Sequence, residues 1–396
     1  DYTYVFGLAS TEKQAGEYRY FVLSSYVSKD KIEELIELKN SYAERRKEQK
    51  TLKPSLSGLV WAPMQQRTYP EGTLAANVLG FYDYFTRENA QGAYGVEGAY
   101  NRLLTGKPVQ VFLPNDPNLV EALPAIDPGA SLILSIDREI QKMLEQTLQD
   151  AIDWSGAEGG TIIVADPKTG EILGMASTPF FNPNEYWKYG ETFTGIVPYN
   201  RAIGTAYEPG SVFKVITMSA GLESGLYPPE TEYNCEYFFK ELPGIQPQDW
   251  TYQHFLDDGE TQASGILTLP QGLMRSCNPW FMHIGLGFYQ RGMYTQVSDL
   301  ARAFGLAAPT GIEIGEQVGA IPDPVSEVDA INLSIGQGGT LVTPLQVASF
   351  IAAIGNGGTL YGARIIDHVD SVDGTTVYQF EPVVLGTLPV SEENLL

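Results

Sequence analysis

The chain has 396 residues, 43% of them hydrophobic and 18% charged, which excludes a disordered tail or a fibrous repeat and, at this length, predicts two domains, one small and one large. A formal net charge of −23 repels phosphate backbones and anionic headgroups alike, and only the short ERRKEQK patch interrupts it. Nucleic acid is therefore not the expected partner.

The chain opens on Asp1 and not on methionine, so it reads as a fragment or a processed form. No apolar run approaches the roughly 18 residues that span a bilayer, and a missing anchor is then uninformative. YTYVFGL and YRYFVLSS alternate apolar and polar residues and predict two strands. A helix follows, with Asp30 and Glu33 as a capping box and Ile32, Leu35, Ile36, Tyr42 and Ala43 on one face. RTYPEGTLAANVLGFYDYF and GAYGVEGAYNRLLTG, dense in glycine and aromatics, complete a first region over residues 1–110. The proline-rich stretch that follows is the expected connector, 111–130, and a second domain is expected over 131–396.

Within that domain SLILSI predicts a strand, and Asp137 an N-cap for a helix whose apolar face is Ile140, Met143, Leu144, Leu148, Ala151 and Ile152. TIIVADPKTGEILGMAS predicts a hairpin turning at Asp166 to Gly170. Paired antiparallel strands among long helical stretches predict an α+β fold, an antiparallel sheet flanked by helices. Near the end, Thr343 is an N-cap, Pro344 opens a helix, Gln346 completes a capping box, and the helix stops near Gly355.

One stretch carries chemistry. In YEPGSVFKVIT, Pro209 and Gly210 supply a sharp turn and Ser211 opens a helix, expected to run to about Gly225, that is apolar around most of its circumference. Lysine is among the residues least often buried, so Lys214 either snorkels outward or holds its amine in a cleft. Residues three apart share a helix face, which brings the amine within reach of the Ser211 hydroxyl. Desolvation lowers a lysine pKa, and a neutral amine can take a serine proton. Ser211 also sits at the positive end of the helix dipole, where its N–H can help hold an oxyanion. The plainer reading is a helix cap beside a surface lysine, and Ser-x-x-Lys recurs at Ser10 with Lys13 and at Ser28 with Lys31. Only the copy at Ser211 follows Pro-Gly and opens an apolar helix.

A second element is LMRSCNPWFMHIG, where an extended backbone ahead of Pro279 points Ser276 and Asn278 one way and Cys277 the other. The chain's two cysteines, Cys235 and Cys277, allow at most one bridge, fit no metal-ligand spacing and do not fix the redox compartment. The three histidines, at 254, 283 and 368, are scattered, which argues against a histidine-built metal site.

Taken together these residues resemble the class B penicillin-binding proteins, the peptidoglycan transpeptidases, whose motifs include Ser-x-x-Lys, a Ser-x-Asn element and Lys-Thr-Gly. The resemblance covers nearly the whole chain. RTYPEGTLAANVLG and GVEGAYNRLLTG resemble that family's N-terminal pedestal, and VADPKTGEILGMASTPFFNPNEY, NRAIGTAYEPGSVFKVIT and IGQGGTLVTPLQVA resemble its transpeptidase domain. It implies a serine β-lactamase/transpeptidase-like domain after a dimerisation-type pedestal. It also implies Ser211 as the acylated nucleophile, Lys214 as its base, Ser276 as a proton relay and Asn278 as a hydrogen-bonding partner of the bound peptide. The implied substrates are D-Ala-D-Ala stem peptides and β-lactams, with glycosyltransferase and other wall-synthesis proteins as partners, at the extracytoplasmic face of the cell membrane. No metal or cofactor is implied.

The departure is the third motif. The only Lys-Thr-Gly, Lys168 to Gly170, precedes Ser211 and reads as a structural hairpin turn, so the chain is expected to lack the strand that carries that motif and to be an impaired enzyme by itself. Two other readings remain open here: a serine β-lactamase or penicillin sensor, which needs no pedestal, and a non-catalytic scaffold of a wall-building complex.

Overall fold

The computed structural model describes residues 2–9, 20–27, 29–48, 56, 59–65, 67–83, 91–106, 128–189 and 200–395. Ser10, Lys13, Ser28 and most of the expected connector, residues 111–127, lie outside them.

The first two strands form where the alternation predicts them, as β1 (Tyr2–Ala9) and β2 (Tyr20–Val27). After helix α1 (Lys29–Glu48) comes β3 (Leu59–Gln65), and β1 lies between β2 and β3 in an antiparallel sheet. Asp30 lies inside the first turn of α1 and not at its cap, where it still faces the positive end of the helix dipole. The buried stripe of α1 is narrower than its sequence suggests. Ile32 packs on Leu59 with Leu35 beside it, whereas Ile36 and Ala43 face outward.

Short elements follow: α2 (Ala76–Leu79), β4 (Phe81–Asp83), β5 (Gln91–Ala93), α3 (Gly95–Ala99) and α4 (Asn101–Leu104). Buried Glu97 holds the Arg67 guanidinium through two bonds, at 2.7 and 3.1 Å, and accepts the Tyr69 hydroxyl at 3.3 Å. Burial first, and then the Glu97 charge, pushes the Tyr69 phenol far above its ordinary range. Val78, Val96, Tyr100 and Leu104 share one apolar cluster with Ile172 and Met175, which seats this region on the larger body.

The larger body is α+β. It begins with β6 (Ser131–Leu134), α5 (Arg138–Ser155) and the antiparallel hairpin β7 (Thr161–Ala165) and β8 (Ile172–Ser177). Asp137 caps α5 by accepting the N–H groups of Glu139 and Ile140. Alternation across the hairpin separates two faces: Ile162 and Val164 pack with Leu144 and Leu148 of α5, while Ile163 and Ala165 pack with Ile172 and Leu345 on the other side. Met143 and Ala151, expected to be buried on α5, are exposed. The space nearest the sheet is taken by Gln141, whose amide exchanges two hydrogen bonds with the Met175 backbone.

Next come α6 (Arg201–Gly204), α7 (Lys214–Glu223), β9 (Glu232–Cys235), α8 (Trp250–Asp258), β10 (Gly265–Thr268), α9 (Leu269–Met274), α10 (Asn278–Gln290), α11 (Gln296–Ala303), α12 (Glu327–Leu333) and α13 (Pro344–Gly355). The capping box of Thr343 and Gln346 starts α13 as expected. The chain returns through β11 (Thr359–Tyr361), β12 (Ile366–Asp370), β13 (Thr376–Gln379), β14 (Val384–Thr387) and α14 (Glu392–Leu395). Strand β12 sits between β6 and β13, and backbone bonds from Ile172 to Arg364 and from Arg364 to Gly170 join that sheet to the hairpin. The largest apolar cluster gathers Phe213, Ile216 and Ala220 with Trp280, Phe281 and Ile284 of α10 and Phe350 of α13. Each of the phenylalanine and isoleucine side chains contributes about 1.5–3 kcal/mol on burial. The segment bearing Ser211 and Lys214 is therefore anchored in this cluster through Phe213 and Ile216.

Candidate active site

Gly210 adopts a left-handed φ of 58°, a conformation that costs any residue with a Cβ more than glycine. From it a single 3₁₀ turn, Gly210–Phe213, leads into α7 at Lys214. The helix thus opens three residues later than its sequence suggests, with Ser211 on the tighter turn and not at an N-cap. Val212, expected to help bury the helix, is exposed, because the 3₁₀ turn projects it outward.

The turn is held from behind by the glycine-rich loop. Gly210 donates its N–H to the Gly336 carbonyl at 3.0 Å, and Tyr207 and Val342 exchange a pair of backbone bonds at 2.9 Å. A Cβ on Gly336 would lie 2.4 Å from the Gly210 carbonyl and 2.7 Å from Phe213 Cβ, so only glycine allows this approach. Thr217, on the buried side of α7, donates to the Ser334 carbonyl at 2.8 Å and fixes the helix to the same loop.

Ser211 is exposed, whereas Lys214 is fully buried. The Lys214 amine lies 3.0 Å from Ser211 Oγ, 3.0 Å from Ser276 Oγ, 2.8 Å from the Ser276 carbonyl and 2.6 Å from Asn278 Oδ1. The structure therefore brings together all four residues singled out in the sequence. Burial lowers the Lys214 pKa from 10.5 to about 8, with the Asp249 carboxylate opposing the fall. Two of the four partners, the Ser276 and Asn278 carbonyl oxygens, only accept. A neutral amine has two hydrogens to give them and one lone pair left for a serine hydroxyl. That arrangement can draw the proton from Ser211 Oγ while the exposed oxygen meets an incoming carbonyl carbon.

Ser276 and Asn278 reach Lys214 by a route that differs from the expected extended segment. Ser276 adopts a left-handed φ of 52° between α9 and α10, and Asn278 is the first residue of α10. The N–H groups of Ser276 and Cys277 are taken by the carbonyls of Leu273 and Gly272, which closes α9 and forces the reversal. Both polar side chains still converge on the amine, and Cys277 turns away into a disulfide with Cys235, 42 residues earlier.

Sequence reasoning missed the support beneath this turn. Gln248, Asp249 and Trp250 grip it through the Gln248 carbonyl, the Asp249 carboxylate and the Trp250 indole N–H. The available signals were the two cysteines, one of them inside Ser-x-Asn, and the cap pattern of Asp249 before Thr251. Lys168 lies elsewhere: it is exposed in the β7–β8 turn, where Asp166 accepts its N–H at 2.7 Å and Asn356 donates to the Pro167 carbonyl.

Residues 160–395 match the family described as the penicillin binding protein transpeptidase domain. The chain is similar to stage V sporulation protein D of Bacillus subtilis, at 30% identity over 89% of this chain and 52% of that protein. It is also similar to the peptidoglycan D,D-transpeptidase MrdA of Acinetobacter baumannii, at 30% identity over 76% of this chain and 47% of that protein. The chain thus spans about half the length of the curated relatives it matches. A crystal structure of penicillin binding protein 3 from Mycobacterium tuberculosis complexed with aztreonam superimposes with a TM-score of 0.66 at 28% identity, covering 85% of this chain and 67% of that one.

Proposed function

We propose, from the premise that the chain belongs to the class B penicillin-binding proteins, that it is a serine-type peptidoglycan D,D-transpeptidase acting on D-Ala-D-Ala stem peptides and acylated by penicillin. The observation that carries this reading is the buried Lys214 amine, shared by the Ser211 and Ser276 hydroxyls and the Asn278 carbonyl oxygen.

In this mechanism neutral Lys214 takes the Ser211 Oγ proton as Oγ bonds to the carbonyl carbon of the penultimate D-alanine. The carbonyl electrons move onto oxygen, which the Ser211 N–H at the start of the turn helps to hold. As the tetrahedral carbon collapses, the peptide C–N bond breaks and the leaving D-alanine amine receives the proton, with Ser276 as the relay from Lys214. An acyl ester on Ser211 remains. An amine from a neighbouring strand attacks its carbonyl carbon and loses a proton to Lys214, the C–Oγ ester bond breaks as Lys214 returns that proton to Ser211 Oγ, and the cross-linked product leaves. Asn278 gives one Nδ2 hydrogen to the Gln248 carbonyl and keeps a second for the acyl side of the peptide. With a β-lactam the broken C–N bond lies within the ring, so the leaving amine stays tethered.

Residues 1–110 are assigned to a pedestal, 111–130 to a connector and 131–396 to the catalytic domain. The Cys235–Cys277 disulfide supports an extracytoplasmic location, since such bridges persist in oxidising compartments. Among the described residues no helix is long and apolar enough to cross a membrane. A membrane anchor and contacts with glycosyltransferase and other wall-synthesis proteins complete the proposal. Because the sequence's Lys-Thr-Gly stands in a surface turn, these 396 residues by themselves should react more slowly than a version to which a Lys-Ser/Thr-Gly strand is added. Equal rates for the two contradict that point. The reading as a whole is tested by D-alanine release from a stem pentapeptide in the presence of an acceptor amine. Release that stops in Ser211→Ala supports it, and release that persists there contradicts it.

A further inference from the structure

We propose that Asp249 is a positioning residue for the Lys214 site: its carboxylate fastens the start of α10 so that the Asn278 carbonyl faces the lysine amine, and its charge acts on that amine. The proposal rests on the acyl-transfer reading above.

The first N–H groups of a helix have no partner within it. In α10 the position after Asn278 is Pro279, which has no N–H, and Trp280 donates to Cys277 Sγ at 3.3 Å. The Asn278 N–H goes instead to Asp249 Oδ1 at 2.8 Å. The other Asp249 oxygen accepts the Thr251 hydroxyl at 2.6 Å and the Thr251 N–H at 3.3 Å, capping α8. One carboxylate, 1% exposed, therefore ties together the starts of two helices. The preceding residue settles which way the asparagine amide points. Gln248 presents a carbonyl oxygen to Asn278 Nδ2 at 3.3 Å, so Oδ1 is left facing Lys214 at 2.6 Å. Trp250 adds a bond from its indole N–H to the Arg275 carbonyl at 2.9 Å. Three consecutive residues thus clasp the turn that carries Ser276 and Asn278.

A buried carboxylate is costly to keep unless its oxygens are bonded, and here both are. Its charge also has little competition. Ser211, Ser276 and Asn278 are neutral, and α10 presents the Phe281 ring 5.8 Å from the amine. On the elements packed against α7, Asp299 and Arg302 of α11 pair with each other, and Arg302 also pairs with Asp323. His283 of α10 pairs with Glu241, while Glu223 of α7 itself is held by Ser391 and Asn394. Glu392 and Glu393 of α14 are exposed, α9 itself carries no charged residue, and Arg275, which ends α9, lies over the Trp250 ring at 5.7 Å and donates to Ser264. Burial pulls the lysine proton affinity down and Asp249 opposes it, which keeps the base strong enough to accept a hydroxyl proton.

The test uses Asp249→Asn, which removes the charge and keeps one acceptor oxygen in nearly the same shape, and Asp249→Ala, which removes the clasp altogether. Lysine side chains are labelled with ¹³C, the Lys214 resonance is assigned by its absence in Lys214→Met, and its titration is followed by NMR. In parallel, acylation by a labelled penicillin is measured across pH. In Asp249→Asn both the NMR midpoint and the acidic limb of acylation should move to lower pH by about half a unit or more. In folded Asp249→Ala, acylation at high pH should fall at least about tenfold as Asn278 loses its orientation. If Asp249→Ala does not fold, Asp249→Asn decides alone. An unchanged Lys214 midpoint in folded Asp249→Asn overturns the proposal, whatever penicillin does. A parent chain that never acylates overturns the transpeptidase reading, while the NMR midpoint still decides the role of Asp249.

Discussion

The buried Lys214 amine couples the stability of the fold to pH. Its pKa in the folded chain is about 8, against an ordinary value of 10.5, so between these limits the unfolded chain holds a proton that the folded chain has released. Unfolding free energy then rises with pH through that window, because the unfolded state binds more protons. The interval, at about 1.36 kcal/mol per pH unit, amounts to about 3 kcal/mol. Below pH 8 both states are protonated and the cost of the buried ammonium is felt in full. Urea unfolding of the parent and of Lys214→Met, measured from pH 7 to 10.5, isolates this contribution. Tyrosines such as Tyr69, whose phenol is pushed up by burial, titrate in both chains and cancel in the comparison. The parent should gain about 3 kcal/mol over Lys214→Met across the window. Parallel pH profiles for the two chains would refute the reasoning.

The same amine should govern rate. About a tenth of it is neutral at pH 7, so penicillin acylation should climb about tenfold by pH 9 with its half-rise near 8, and a flat profile contradicts a basic role for Lys214. Removing the disulfide with Cys235→Ser should lower unfolding free energy by about 2–4 kcal/mol, the range for a bridge closing a loop of this length, and an unchanged urea midpoint counts against that brace. Gly336→Ala should slow acylation more than Gly339→Ala, since a Cβ at 336 strikes the Gly210 turn and one at 339 meets open space; equal effects would deny the close approach a role. Lys168→Ala, in an exposed turn, should leave acylation within a few-fold of the parent, and a collapse in rate would give its Lys-Thr-Gly a catalytic part.

Local spacing made the centre of the site legible. Ser211 and Lys214 meet because a separation of three places them on one face, whether the backbone is α-helical or 3₁₀. Pro209 and Gly210 announce the turn, and Thr343 with Gln346 announces α13, because caps and turns depend on residues a few positions apart. The Ser276 to Asn278 turn was legible only as a convergence. Its left-handed φ follows from how Leu273 and Gly272 close α9, a detail that alternation cannot express. The two cysteines and the Asp249 cap were visible in the sequence, but what Asp249, Gln248 and Cys235 hold was beyond local pattern. They lie 29 to 42 residues before the groups they hold, and only the return of α8 and β9 onto α10 brings them there. Met143 shows the opposite limit: helical period marks it as apolar-facing, yet Gln141 bonded to the Met175 backbone occupies the sheet side of α5.

The central claim is that Ser211 is the acylated residue. Mass spectrometry of proteolytic peptides, after incubation with a labelled penicillin, reads it directly. One adduct is expected, on the peptide that contains Ser211, and none in Ser211→Ala. Labelling retained in that variant, or an adduct mapped to any other residue, would contradict it.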